Sequence, residues 1–286
     1  MVTDALAWTA NHHFIWPSEQ YPTGPNMTGK PTIRRHIVAA ALLAFASTEA
    51  AADGCRNETF EETDYTVCSY DLGKADLRIF WRDANGAPYG TFSALAEDLG
   101  AANRGLAFAM NGGMYQDDLA PVGLLIVDGT ELKSANTVTL SPDIKPVPNF
   151  YKKPNGVFFI GGGEAGVLET HSFLEKKPAA DFATQSGPLL VVDGAIHPAF
   201  IVGSSDRKQR NGVGVSSSTE VHFAISEAGV NFHDFARFFR DRLGCENALF
   251  LDGGSAPGIY SPELGRDDPP GHGGYGPIIG VVGDKP

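Results

Sequence analysis

The apolar positions of this chain fall in short runs, many of them alternating, and the runs end repeatedly at Gly, Pro, Asn or Asp. Residues 64–70 and 77–81 alternate as half-buried strands do and read as a first hairpin. The runs at 106–110, 124–127, 156–160, 167–170, 189–192 and 248–251 are apolar nearly throughout, which predicts buried strands. Residues 212–216 and 221–225 read as a further hairpin, and 278–282 as a closing strand. Helical spacing occurs in two places. Residues 91–102 place Phe92, Leu95, Ala96 and Leu99 on one face. Residues 232–243 follow Asn231 as N-cap, place Phe235, Phe238, Phe239 and Leu243 on one face, and stop at Gly244. The polar, Pro-rich stretch 134–155 reads as a long surface loop crossing the site or the domain edge.

Strands without regular strand–helix alternation predict an α+β fold: a single domain of mixed β-sheets of short strands with few helices. An internal pseudo-repeat is suggested by Gly-Leu-Leu-Ile-Val-Asp-Gly at 123–129 and Pro-Leu-Leu-Val-Val-Asp-Gly at 188–194. The plainer account of both Asp-Gly pairs is a type I′ hairpin turn.

Composition narrows the function. A net charge of −12 over 286 residues argues against nucleic acid as a partner, because phosphate backbones recruit basic faces. Residues 1–52 read as lying outside the folded domain. Lys30, Arg34, Arg35 and His36 precede an apolar run at 37–46 that leads to Ala50-Ala51-Ala52, the order of a secretory signal peptide. The expected organisation is upstream translation at 1–26, a signal peptide at 27–52 beginning at Met27, and a domain at 53–286. Its location is then periplasmic or secreted, with no stable membrane insertion after cleavage. In that compartment Cys55 and Cys68 suit a disulfide closing a loop of about 14 residues, worth roughly 3 kcal/mol. Cys245 reads as a small buried residue.

Candidate chemistry gathers at strand boundaries. Asp252 ends an apolar run and is followed by Gly253, Gly254 and Ser255. A strand end delivers a side chain to a pocket, and glycines let backbone amides approach a ligand. Similar elements recur at Asn111-Gly112-Gly113-Met114-Tyr115, Asn155-Gly156, Gln185-Ser186-Gly187-Pro188 and Arg210-Asn211-Gly212. Any one of them alone reads as a turn. No Gly-x-Ser-x-Gly elbow, His-Glu-x-x-His or Gly-rich phosphate loop with Lys is present, which argues against serine triads, zinc and nucleotide hydrolysis. His222 reads as packed and His233 as exposed. His272, in a Gly-rich loop after Asp252, has the best position of the histidines.

In this order the motifs resemble the phosphodiester glycosidase family, which includes the N-acetylglucosamine-1-phosphodiester α-N-acetylglucosaminidases. Within it the bacterial exported branch, formerly a domain of unknown function, is the more similar. The resemblance covers roughly residues 60–283. It implies one α+β domain and hydrolysis of a sugar-1-phosphodiester or phosphodiester-linked glycan. The matching positions are Asn111, Gly112, Gly113, Gln185, Ser186, Gly187, Arg210, Asn211, Asp252, Gly253 and Gly254. Ser255-Ala256-Pro257 departs from the further Gly and paired Ser that many relatives carry.

The expected roles follow. Arg210 is a phosphate clamp, helped by amides at Gly112–Gly113 and Gly253–Gly254. Asp252 is the general acid/base or stabilises positive charge at the anomeric carbon. Asn111, Asn155 and Gln185 bind sugar hydroxyls, with Ser186, Gly187, Asn211 and Ser255 also in contact with substrate. No second carboxylate is identifiable, and no cofactor is expected. Two alternatives stand beside this reading. One is a non-catalytic envelope protein that binds glycan. The other is a phosphodiesterase cleaving P–O with Ca²⁺ or Mg²⁺ held by Asp252, Asp267, Asp268 and His272.

Overall fold

The computed structural model describes residues 53–284. The expectations for 1–52, the signal peptide and the segment upstream of it, lie outside the described residues. Three sheets carry the fold. The largest has seven strands, in the order Gly54–Phe60, Thr63–Asp71, Glu220–Ser226, Arg210–Val215, Asn247–Gly253, Leu189–Val192 and Ala195–Ile196. The second has five strands, with Arg104–Asn111 and Ile278–Asp284 at its centre. The third also has five strands, with Phe182–Ser186 between Leu125–Val127 and Gly156–Gly161.

Every pairing among the described strands is antiparallel, so the sheets are not mixed as expected. Antiparallel pairing is what short connections permit, since a parallel pair needs a long crossover. The first hairpin also differs from expectation. Thr63–Asp71 pairs with Gly54–Phe60, while Asp76–Phe80 pairs with Ile278–Asp284 in the second sheet. Alternation marks a strand but not its neighbour.

The core lies where the sheets meet. Tyr70, Phe223 and Leu249 from the large sheet pack with Phe108 and Met110 from the second and Phe158 and Ile160 from the third. On the far side of the large sheet, Phe235, Phe238 and Phe239 cover Tyr65, Leu190 and Phe250. The strands between these two clusters are buried on both faces, which is why Ala248–Leu251 reads as continuous apolar sequence rather than alternation.

The helices follow their caps. Thr91 accepts from the Ala94 N–H before Phe92–Ala101, and Asn231 accepts from the Asp234 N–H before Phe232–Arg237. The second continues as a π-turn over Phe238–Arg242 and ends at Gly244, whose φ is +67°. A third, short helix, Thr170–Lys176, has no clear apolar stripe in the sequence and buries Phe173.

The two Asp-Gly pairs form two-residue hairpin turns with φ of +49° and +72° at Asp128-Gly129 and +47° and +75° at Asp193-Gly194. They belong to different sheets, and the likeness of 123–129 to 188–194 is accounted for by this shared turn chemistry. Cys55 and Cys68 lie directly opposite each other in the first hairpin and are bonded. Cys245 is free and buried.

Candidate active site

Asp252 reaches its position through an irregularity in the large sheet. Opposite Arg210–Val215, Phe250 pairs with Gly212 and Asp252 with Asn211, leaving Leu251 as an extra residue. A bulge of this kind turns the strand and re-aims the side chain that follows it. The Leu251 carbonyl that the bulge frees accepts from Ser186 Oγ at 2.8 Å. The Asp252 N–H donates to Asn211 Oδ1 at 2.9 Å. Asn211 Nδ2 in turn donates to Asn111 Oδ1 at 2.6 Å, and the Gly258 N–H donates to the same oxygen at 3.0 Å. These two donors fix the orientation of the Asn111 amide, whose Nδ2 is buried with no partner.

The carboxyl of Asp252 opens into a cavity of about 480 Å³. Its polar lining includes Tyr115, Gln116, Asp117 and His272, and its apolar lining includes Phe150, Tyr151 and Ala256. Burial pushes the Asp252 pKa up from 3.8 to about 7, while the Gly253 N–H, donating to Oδ1 at 2.8 Å, pulls the other way. Tyr115 Oη is buried in the same wall and has no hydrogen-bond partner. Its pKa is pushed up to about 12 by burial, with the negative charge of Asp252 adding to the effect. His272 Nε2 lies 2.8 Å from Ser255 Oγ, so Ser255 meets the ring that lines the cavity.

The other expected site residues are placed differently. Arg210 does not clamp a phosphate at Asp252, because its side chain is 1% exposed. Its Nε donates to the Val230 carbonyl at 2.8 Å, and its guanidinium lies 3.6 Å from the centre of the Phe232 ring. Asn111, Asn155 and Gln185 are buried and do not line the cavity. Asn155 bonds the Phe150 carbonyl and Thr170 Oγ1. Gln185 Oε1 accepts from the Leu124 and Asn136 N–H groups, and its Nε2 donates to the Asn136 carbonyl, so it ties the 122–136 segment to the sheet.

Three of the expected amide donors are engaged internally. The N–H groups of Gly112, Gly253 and Gly254 donate to Pro277 O, Asp252 Oδ1 and Gln209 O. Two of the motif glycines answer to backbone needs: Gly113 has φ of +126°, and a Cβ on Gly187 would lie 2.5 Å from Asn155 Cβ.

The residues offered for a metal do not converge. Asp268 accepts from Arg266 Nη2 at 2.6 Å and from the Ile259 N–H, and Asp267 accepts from Ser93 Oγ. Among the described residues, no group of three His, Cys, Asp or Glu side chains comes together as ligands.

Sequence reasoning quoted Tyr115 in a candidate motif without giving it a role, and passed over Asp117. Both follow Asn111-Gly112-Gly113 within a few positions, in the segment that enters the cavity. It also did not single out Tyr151, which lies in the stretch read as a surface loop crossing the site or the domain edge.

The comparisons agree with this architecture. The zebrafish N-acetylglucosamine-1-phosphodiester α-N-acetylglucosaminidase catalytic domain, auto-inhibited by its pro-peptide, superposes with a TM-score of 0.53 at 15% identity, over 79% of this chain and 81% of that one. A hypothetical protein from Synechocystis superposes with a TM-score of 0.51 at 14% identity, over 80% of this chain and 61% of that one. These likenesses speak to the fold. The uncharacterized protein YigE of Escherichia coli (strain K12) is 34% identical over 205 residues, 71% of this chain and 76% of that protein. The phosphodiester glycosidase family profile matches residues 104–281, a span that holds Asn111, Gln185, Arg210 and Asp252 together, and on that match the chain belongs to the phosphodiester glycosidase family.

Proposed function

We propose that this protein is an exported hydrolase, periplasmic or secreted, that cleaves the sugar–phosphate linkage of a sugar-1-phosphodiester. The observation that carries the reading is Asp252: a carboxyl at a bulged strand end, in a cavity, held near neutrality by burial with no cation beside it. A group whose pKa lies near working pH both takes and returns a proton efficiently. Family membership supplies the bond class, and the named activity of the zebrafish neighbour is of the same kind.

In the proposed reaction, water attacks the anomeric carbon and gives its proton to Asp252. The bond between that carbon and the phosphate oxygen breaks, and the electron pair leaves with a phosphate monoester, which then takes the proton. The products are the free sugar and the phosphate monoester. Phosphate is a good leaving group, so one well-placed carboxylate suffices for proton transfer. Asp117, on the cavity rim, is the second carboxylate within the same lining and is assigned to the positive charge that develops on the sugar ring. Tyr115 Oη, lacking an internal partner, is assigned to a sugar hydroxyl.

The test is Asp252→Asn. The variant is expected to fold and to lose release of free sugar from a sugar-1-phosphodiester, with sugar and phosphate monoester measured separately. Hydrolysis in ¹⁸O water is expected to label the sugar. Label in the phosphate, or full activity in the variant, overturns the assignment.

A further inference from the structure

A second cavity, of about 630 Å³, adjoins the first. One segment, residues 145–153, walls both. Pro148 and Phe150 line the Asp252 cavity, Lys145, Lys152 and Lys153 line the second, and Tyr151 lines the two together.

The second cavity has two chemistries side by side. In a chain of net charge −12 it gathers three lysines. Asp206 is the carboxylate in that lining, and it is already shared by Lys208 at 3.8 Å and Arg210 at 3.6 Å. Lys152 Nζ donates to Asn149 Oδ1 at 2.7 Å and Lys153 Nζ to Asn155 Oδ1 at 3.0 Å. Both acceptors are neutral, so neither ammonium is matched by a carboxylate in direct contact. Burial pushes the Lys152 pKa down, and the nearby Arg210 charge adds to this against the pull of Asp206. Glu169 acts on Lys153 as Asp206 does on Lys152, in each case without direct contact, and a half-buried cation with no carboxylate bonded to it has room for an anion from outside.

The rest of the lining is largely apolar, and Lys152 Nζ lies 5.1 Å from the centre of the Phe232 ring. The rings of His197, Phe200 and Phe232 stack in sequence, with centroids 4.7 and 4.9 Å apart. Ile201 continues this wall to the surface at 72% exposure, and the adjoining Val202 is 74% exposed. Large aliphatic side chains this exposed, beside lysines that bond no carboxylate, suit an anion joined to a hydrocarbon.

We propose that this cavity is the subsite for the departing half of the substrate: Lys152 and Lys153 take the phosphate, and the apolar wall takes a hydrocarbon chain carried on it. The substrate class is then a sugar joined through phosphate to a lipid-like alcohol. The role as leaving-group subsite rests on the proposed function; the preference for an alkyl phosphate does not.

The test is calorimetric binding to the full chain, with octyl phosphate below its micelle concentration, inorganic phosphate and uridine monophosphate as probes. Octyl phosphate is expected to bind about tenfold or more tighter than inorganic phosphate, and tighter than uridine monophosphate. Lys152→Gln and Ile201→Asp are each expected to weaken it about fivefold or more. Ile201 is exposed, so its variant reports on the wall without disturbing the fold. Octyl phosphate binding no tighter than inorganic phosphate, uridine monophosphate binding equally well, or indifference to both substitutions overturns the proposal. Octyl phosphate binding with no sugar-phosphodiester cleaved leaves the alkyl-phosphate site standing and removes the reaction. Cleavage of a sugar-1-phosphodiester without octyl phosphate binding does the reverse.

Discussion

Arg210 and Asp252 come from neighbouring strands, where Arg210 pairs with Gly253 and Asn211 with Asp252. Both carry ionisable groups that burial shifts toward neutrality, Arg210 to about 10 and Asp252 to about 7. Arg210 is compensated. A carbonyl accepts from its Nε, an aromatic ring covers its plane, and Asp206 lies 3.6 Å away. Asp252 has one backbone amide on one oxygen and an open cavity before it. A buried charge met on every side is a structural element, whereas one left short of partners is available to a substrate.

Substitutions at the two positions separate these roles. The largest effect is expected from Asp252→Asn on turnover, a loss on the order of 10³-fold in kcat with the fold intact, measured on a sugar-1-phosphodiester. Next, Arg210→Met is expected to lower stability by roughly 3 kcal/mol in denaturant titration, because the Val230 carbonyl keeps only the longer bond from the Lys208 N–H and the Asp206 side chain loses its nearest arginine. At temperatures where this variant stays folded, its kcat is expected to remain near that of the parent. Loss of turnover in the folded variant would return Arg210 to the site.

Asp252→Asn also has a stability signature. The folded pKa of about 7 lies above the ordinary 3.8, so the native state binds the proton more tightly than the unfolded chain does. Stability from this group is therefore fully present below about pH 4 and is lost as pH rises toward 7. The variant is expected to match the parent at pH 4 and to exceed it by up to about 4 kcal/mol at pH 8, read from denaturant midpoints. A parent whose stability does not fall across this window would place Asp252 in a wetter setting. The smallest effect is expected at Tyr115→Phe. Its hydroxyl has no internal partner, so the thermal midpoint is expected to hold or rise slightly while kcat falls about tenfold.

Turns and caps were legible because their chemistry is local. Asp128-Gly129 and Asp193-Gly194 form the expected turns, and Asn231 caps the expected helix. Strand existence was legible for the same reason, and partnership was not: 64–70 and 77–81 look like a hairpin and join different sheets. At the site, the motifs containing Asn111, Asn211, Gln185 and Ser186 did converge on one region. Sequence alone does not say whether an amide faces a cavity or the wall behind it. Gln185 and Asn155 spend their hydrogen bonds on the 122–136 segment and the turn at Asn149–Tyr151, both of which border the cavities.

The turns and the caps were determined by the sequence, since each depends on residues within a few positions of one another, and the family was determined by the order of strand-end motifs along residues 104–281. Only the tertiary structure decided that a bulge at Leu251 points Asp252 into a cavity, that Phe232 covers Arg210, and that Tyr115 and Asp117 share the lining with Asp252. Those outcomes depend on burial and on partners brought from distant strands. Burial is what sets a carboxyl near neutrality or requires an arginine to be fully bonded.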